Sequence, residues 1–141
     1  MSQISGRPDI AQLVVPADAW TLPVWDAARD HRLILPNCGV CGQYRWPPGP
    51  FCPACHSQAV GWADAGDGFV FSFTIIPGKP QDDGKASPAL VPSLIEFPVA
   101  GGVRLMAAVV DSAIDDICIG AKVSPVWVAA RDAIVPMFKL A

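Results

Sequence analysis

Beyond residue 66 the chain breaks into short apolar runs: GFVFSFTIIP (68–77), ALVPSLIEFP (89–98), VRLMAAVV (103–110), AKVSPVWVAA (121–130) and AIVPMFKL (133–140). Each is rich in β-branched or aromatic residues and bounded by Gly, Pro or Asp, as short strands are. The segment DSAIDDICIG (111–120), between the third and fourth runs, reads as a single helical turn stopped by Gly120. Five strands with a helical insert at that point match the oligonucleotide/oligosaccharide-binding (OB) barrel. In the first run the odd positions Phe69, Phe71, Phe73 and Ile75 are all apolar, and no Lys or Arg stands between residues 46 and 78. That alternation predicts a face turned to the core rather than a stacking platform for single-stranded nucleic acid. The polar stretch GKPQDDGKASP, Gly78 to Pro88, is long for a hairpin loop of this size, and loops of that length are functional or disordered.

Upstream the pattern changes. Residues 1–19 show no sustained periodicity and read as a flexible arm. In ADAWTLPVWDAARDHRL, Thr21 suits a cap and Pro23 a first turn, while Leu22, Trp25 and Ala28 share a face, which predicts a helix over Leu22–Asp30. RLILPN is a short strand that runs into Cys38. Between Cys41 and Cys52, GQYRWPPGPF carries three prolines and two glycines, which favours a short strand ending in a rigid turn. HSQAVGWADAGDG then leads through Trp62 to a Gly/Asp turn cluster, closing this unit near residue 66. The expected organisation is an arm (1–19), a helix with a cysteine module (20–66) and a barrel (67–141).

The cysteine module carries the strongest chemistry. Cys38-x2-Cys41 and Cys52-x2-Cys55 each form a knuckle able to place two sulfurs on one ion, and two knuckles complete a tetrahedral thiolate shell. Four protein ligands leave no position for water or substrate, so the expected metal, one zinc ion, is structural. Similar thiolate sets hold iron. Cys118, alone in the apolar run ICIG, reads as a buried structural thiol, His56 as a surface residue and His31 as a cap or dipole partner at the helix end. The acids Asp64, Asp67, Asp82, Asp83, Asp111, Asp115 and Asp116 sit mostly in turns, and Glu96 is the only glutamate. With no phosphate loop, nucleophile elbow or His/Glu metal motif, no catalytic residues are assigned.

Composition sharpens this. The chain is 52% hydrophobic and 16% charged, low in charge for a protein that stands alone, which implies apolar surface covered by a partner. A net charge of −3 and a pI near 5.1 disfavour nucleic acid. No run approaches the length that spans a bilayer and no signal peptide is legible, so no membrane partner and a cytoplasmic location are expected. In a reducing compartment such cysteine pairs hold metal rather than form disulfides.

The order of segments adds a resemblance. PVWDAARDHRLIL, then C-x2-C-G-x-Y-R-W-P-P-x-P-x-C-P-x-C, GFVFSFTII, IGAKVSPVW and a terminal strand ending PMFKL resemble the thiolase-associated family of rubredoxin-like zinc ribbons fused to OB barrels, over residues 20–141. The resemblance implies a mainly β fold: an N-terminal helix and rubredoxin-like zinc ribbon followed by a five-stranded OB barrel. It implies a non-catalytic accessory subunit, part of a hetero-oligomer with a thiolase-fold enzyme that performs acyl transfer, condensation or retro-aldol cleavage on acyl-CoA thioesters. By this carry-over Cys38, Cys41, Cys52 and Cys55 match the metal ligands, Trp25 an aromatic of the opening helix, and Arg45, Trp46, Pro47 and Pro48 the stretch between knuckles that faces the partner. Lys79 and Lys85, in the long loop, are candidate contacts for coenzyme A phosphates. The alternatives are a nucleic-acid-binding ribbon with an OB barrel and a stand-alone acyl-CoA enzyme.

Overall fold

The computed structural model describes residues 3–141. The elements in chain order are helix α1 (Leu22–Arg29) and strands β1 (Ile34–Cys38), β2 (Val60–Asp64), β3 (Gly68–Phe73), β4 (Pro92–Phe97), β5 (Val103–Ala108), β6 (Lys122–Ala129) and β7 (Ile134–Leu140). Single 3-10 turns follow β4 (Pro98–Ala100) and β5 (Ile114–Asp116).

Helix α1 starts where Asp18 gathers donors: its Oδ1 accepts the N–H groups of Trp20 (3.0 Å) and Thr21 (2.9 Å) and the Thr21 hydroxyl. These bonds hold the Asp18 carboxyl below the usual carboxylate range, the Thr21 N–H contributing most. Pro23 occupies the first turn, and Val24 and Ala28, one turn apart, form the buried stripe. Leu22, expected on that face, is 47% exposed. The helix ends when His31 turns left-handed (φ 57°), so that the His31 N–H donates to Ala28 O and the Arg32 N–H to Ala27 O, both at 3.0 Å.

The strands form two antiparallel sheets. One pairs β1 with β2, from Ile34 opposite Asp64 to Cys38 opposite Val60. The other has five strands in the order β5-β4-β3-β6-β7. It curls until its two edges touch at a parallel bridge between Val109 and Phe138, closed by the Val110 N–H on Phe138 O at 2.7 Å. The OB-like five-strand arrangement with a single helical turn between β5 and β6 agrees with the sequence. Inside lie Val70, Val91, Ile95, Phe97, Leu105, Val109, Ile117, Val123 and Phe138. Leu35 of β1 is wholly buried in the same cluster, and Leu33, Tyr44 and Trp46 pack against it, so the cysteine module and the barrel share one core.

Four features depart from the sequence reading. The odd positions of β3 do not form one core face: Val70 is buried at 1% and Phe71 exposed at 39%, while Phe73, past the irregularity, packs on the core. A bulge between Val70 and Ser72 breaks the alternation that two-residue periodicity assumes. β2 was not visible in VGWAD because it lacks alternation, and its residues are all half-buried or exposed. The short strand expected after Cys41 shrinks to a single bridge between Asn37 and Tyr44. The N-terminal segment is no free arm over residues 4–7: the Ser5 N–H donates to Ser112 O, the Asp111 N–H to Ser5 O and the Gly6 N–H to Ala89 O, at 2.8–2.9 Å. Arg7 adds a two-pronged bond to Asp111. A Cβ on Gly6 would lie 2.5 Å from the Pro88 side chain, so the strap needs glycine there.

Candidate functional site

The four cysteines converge. Their sulfurs all lie within 4.8 Å of one another, with Cys38 and Cys55 at 3.5 Å and Cys41 and Cys52 at 3.6 Å. A zinc–thiolate bond of about 2.3 Å in a tetrahedron requires sulfurs about 3.8 Å apart, so the set is already at metal-binding size.

The two halves of the site repeat one turn. The Cys38 N–H donates to Gln43 O and the Gly42 N–H to Cys38 O; the Cys52 N–H donates to Ser57 O and the His56 N–H to Cys52 O, all at 2.8–2.9 Å. Both turns close through a left-handed residue, Gly42 (φ 77°) in the first and His56 (φ 63°) in the second. The leading cysteine of each pair receives amide donors: Val40 and Cys41 N–H on Cys38 Sγ, and Ala54 N–H on Cys52 Sγ, each at 3.4 Å. The Cys41 and Val40 amides bring the Cys38 thiol down to about 6. Those of Cys55 and Ala54 lower Cys52 against the cost of its burial. At Cys41 the Gln43 amide pulls downward, but burial and proton-sharing with the other three thiols prevail and raise it to about 11. Amide donors aimed at sulfur favour thiolate, the form that binds metal.

The residues assigned to a partner surface divide. Trp25 and Trp46 share one site: with Val24, Leu33, Met106 and Pro136 they line an apolar cleft of about 200 Å3 between α1 and the barrel. Met106 is 82% exposed. It alternates along β5 with buried Leu105, the one signal in the sequence that could have found it. Pro48 lines a different cleft, of about 160 Å3, with Pro23 and two tryptophans that the sequence reading had not singled out as site residues, Trp20 and Trp62. Pro47 is joined to Trp46 by a cis peptide. Arg45 is only 8% exposed and reaches inward, its Nη2 donating to Gly49 O at 2.9 Å.

Lys79 and Lys85 stand on an extended hairpin arm. Bridges at Ile76–Leu90 and Pro80–Ala86 carry the β3–β4 ladder outward, and both lysines are exposed, with Asp82 and Asp83 at the exposed tip. Glu96 is bound to Arg104 at 2.9 Å, and the Arg104 guanidinium lies 3.6 Å above the centre of the Phe71 ring. His31 does not cap carbonyls with its ring. Its backbone does that, and the imidazole stacks on Trp127 at 5.5 Å beside a cavity of about 480 Å3 at the junction of module and barrel. Cys118, expected to be buried, is exposed, because Ile117 takes the core position and the next residue turns outward. No helix among the described residues is long and apolar enough to cross a membrane.

Two family models match the chain in succession. The family described as "ChsH2, rubredoxin-like zinc ribbon domain" matches residues 25–61, and "ChsH2, C-terminal OB-fold domain" matches residues 64–128. A probable enoyl-CoA hydratase alpha subunit from Thermomonospora curvata is 34% identical over 117 residues, 82% of this chain. The match spans 35% of that relative, so the chain corresponds to about a third of it. Among solved structures, the one titled "Ltp2-ChsH2(DUF35) aldolase" is similar at TM-score 0.75 and 29% identity, covering 90% of this chain and 98% of that one. A DUF35 protein of unknown function from Sulfolobus solfataricus shares the fold, at TM-score 0.62 and 19% identity, covering 89% and 87%.

Proposed function

The chain belongs to the ChsH2 family of zinc-ribbon and OB-fold proteins, and from that premise we propose that it is a non-catalytic accessory subunit of a thiolase-fold aldolase acting on acyl-CoA thioesters. One observation carries the reading: nearly the whole of the chain from the Ltp2-ChsH2(DUF35) aldolase is matched, ribbon and barrel together. In this proposal the metal is a single structural zinc held by Cys38, Cys41, Cys52 and Cys55. Their spacing suits it, and a four-sulfur shell leaves no site for substrate.

The partner docks on the apolar surface around Trp25 and Trp46, with Pro47 and Pro48 as a stiff shoulder. Tryptophan in a preformed cleft is the kind of anchor that dominates binding energy, and proline loses little freedom on association. Arg45 contributes from behind by holding the turn at Gly49. The cations for coenzyme A phosphates come from Lys79 and Lys85 on the projecting arm, their field reduced by Asp82 and Asp83. No acid/base role is assigned to the chain itself; Glu96 is engaged by Arg104.

The test is reconstitution. The purified chain is mixed with an Ltp2-type thiolase-fold aldolase, and co-elution is measured together with retro-aldol cleavage of a 3-hydroxyacyl-CoA. The proposal expects a stable complex, activity that depends on both chains, and none from this chain alone. Cleavage by the isolated chain, or an aldolase indifferent to its presence, overturns it.

A further inference from the structure

Arg45 poses a problem that the docking reading does not solve. It is the one charged side chain buried among the described residues. One nitrogen is satisfied by Gly49 O, but Nε and Nη1 are buried with no hydrogen-bond partner, and Arg45 takes part in none of the ion pairs of the described residues. A guanidinium does not escape by losing its proton. A buried charge without a counter-charge is strongly unfavourable, so compensation has to come from nearby.

The local sequence leaves few sources. Between Asp30 and Asp64 there is no Asp or Glu, and from Leu33 to Gly78 Arg45 is the only Lys or Arg. The thiolates are therefore the only side-chain anions between those two aspartates. Hydrogen bonds tie Arg45 to the chain leading into each pair: its N–H donates to Pro36 O, two residues before Cys38, and its side chain to Gly49 O, three residues before Cys52. Four thiolates around a divalent ion carry a net charge of about −2.

We propose that Arg45 is the internal counter-charge of the metal–tetrathiolate centre: a residue that binds no metal yet sets how tightly the ribbon retains it. Each then stabilises the other. The guanidinium is tolerable in its buried position because the loaded centre is anionic, and the excess negative charge of the centre is tolerable because the guanidinium is there. This inference rests on the four-cysteine site and not on the aldolase reading, so either stands if the other fails.

Two substitutions separate charge from hydrogen bonding. Arg45→Lys keeps the charge and loses the planar fork; Arg45→Gln keeps a donor for Gly49 O and loses the charge. Zinc affinity of the full chain is measured by competition with a chromogenic chelator. The spectrum of the cobalt-substituted protein is recorded alongside. The expectation is that Arg45→Gln weakens binding about tenfold or more, in the range seen when outer-sphere support of a metal site is removed, and that Arg45→Lys recovers most of the loss. The thiolate-to-cobalt charge-transfer band should move to lower energy in Arg45→Gln alone, because removing a neighbouring positive charge raises the sulfur donor level. A variant too damaged to load metal counts as weakened, and the ranking still decides. Equal losses in both variants, a smaller loss for Gln than for Lys, or wild-type affinity in both would overturn the proposal and leave Arg45 as a brace for the turn.

Discussion

Removing the metal under reducing conditions is expected to melt residues 38–58 while the barrel stays folded. Apart from Cys38 at its base, that segment fully buries only Arg45 and Cys52. A buried large apolar side chain contributes about 1.5–3 kcal/mol, and the segment contains none that is fully buried. Structural zinc in small ribbons contributes about 10–16 kcal/mol, as much as the entire stability of many domains. Within residues 38–58 only the part-buried Tyr44 and Trp46 pack on the core, which is too little to replace it. The strand below Cys38 differs, because Leu35 is anchored in the barrel core. Hydrogen exchange read by mass spectrometry or NMR tests this with two sets of reporters. The Gly42 and His56 amides, which close the two knuckles on Cys38 O and Cys52 O, should lose protection on chelation, while those of Ile95 and Val109 keep theirs. Cys52→Ser should reproduce the pattern and release the metal. Persistent protection at Gly42 and His56 in the metal-free chain would refute the reasoning, as would simultaneous loss throughout the barrel, since each implies a different division of stabilising contacts.

Further outcomes are expected. Trp46→Ala should weaken the aldolase complex by about 2 kcal/mol, measured by calorimetry; because Trp46 also packs on the core, the free chain should melt a few degrees lower, and a complex lost only through unfolding of the variant would remove Trp46 from the interface. Replacing both Lys79 and Lys85 with Glu should raise the KM of the assembled complex for acyl-CoA, most strongly at low salt, with complex formation intact; kinetics unchanged at low ionic strength would take the arm out of the mechanism. His56→Gly should raise the thermal midpoint of the loaded protein slightly, since its φ of 63° suits glycine. Arg7 holds the Asp111 carboxyl below the usual carboxylate range, chiefly through its side-chain hydrogen bonds. The unfolded carboxyl titrates near about 3.9, so the contribution of the pair is present above that pH and is lost as pH falls through the lower folded value. Proteolysis within residues 3–7 should accelerate below about pH 4, and Arg7→Ala should remove that pH dependence.

The convergence of the four cysteines was legible because its signal is local: two knuckles, each complete within a few residues. The barrel was legible because its strands are short, apolar and separated by Gly, Pro and Asp. What failed were inferences that needed a partner element. The orientation of Phe71 depends on a bulge against β4, and no property of GFVFSF announces where an extra residue is inserted. Cys118 sits one residue beyond Ile117, and only the packed barrel decides which of the two enters it. VGWAD becomes a strand because β1 lies beside it. The N-terminal residues look structureless alone and are ordered by carbonyls from Ala89 and Ser112, more than eighty residues away. The inward course of Arg45 was invisible because an arginine just ahead of two prolines reads as surface.

The short path from Leu35 to Cys38 has a mechanical consequence. Leu35 is fixed in the barrel interior and Cys38 belongs to the four-cysteine cluster, and the strand joining them is continuous. Three residues of extended backbone span about 10 Å. No hinge fits in that distance, so the tetrathiolate knot and the barrel turn as a single lever. In the docking proposed above, a partner held on the ribbon would thereby also set the angle of the distal hairpin arm. The tolerance of that angle is governed by the stiffness of one strand rather than by the length of a linker.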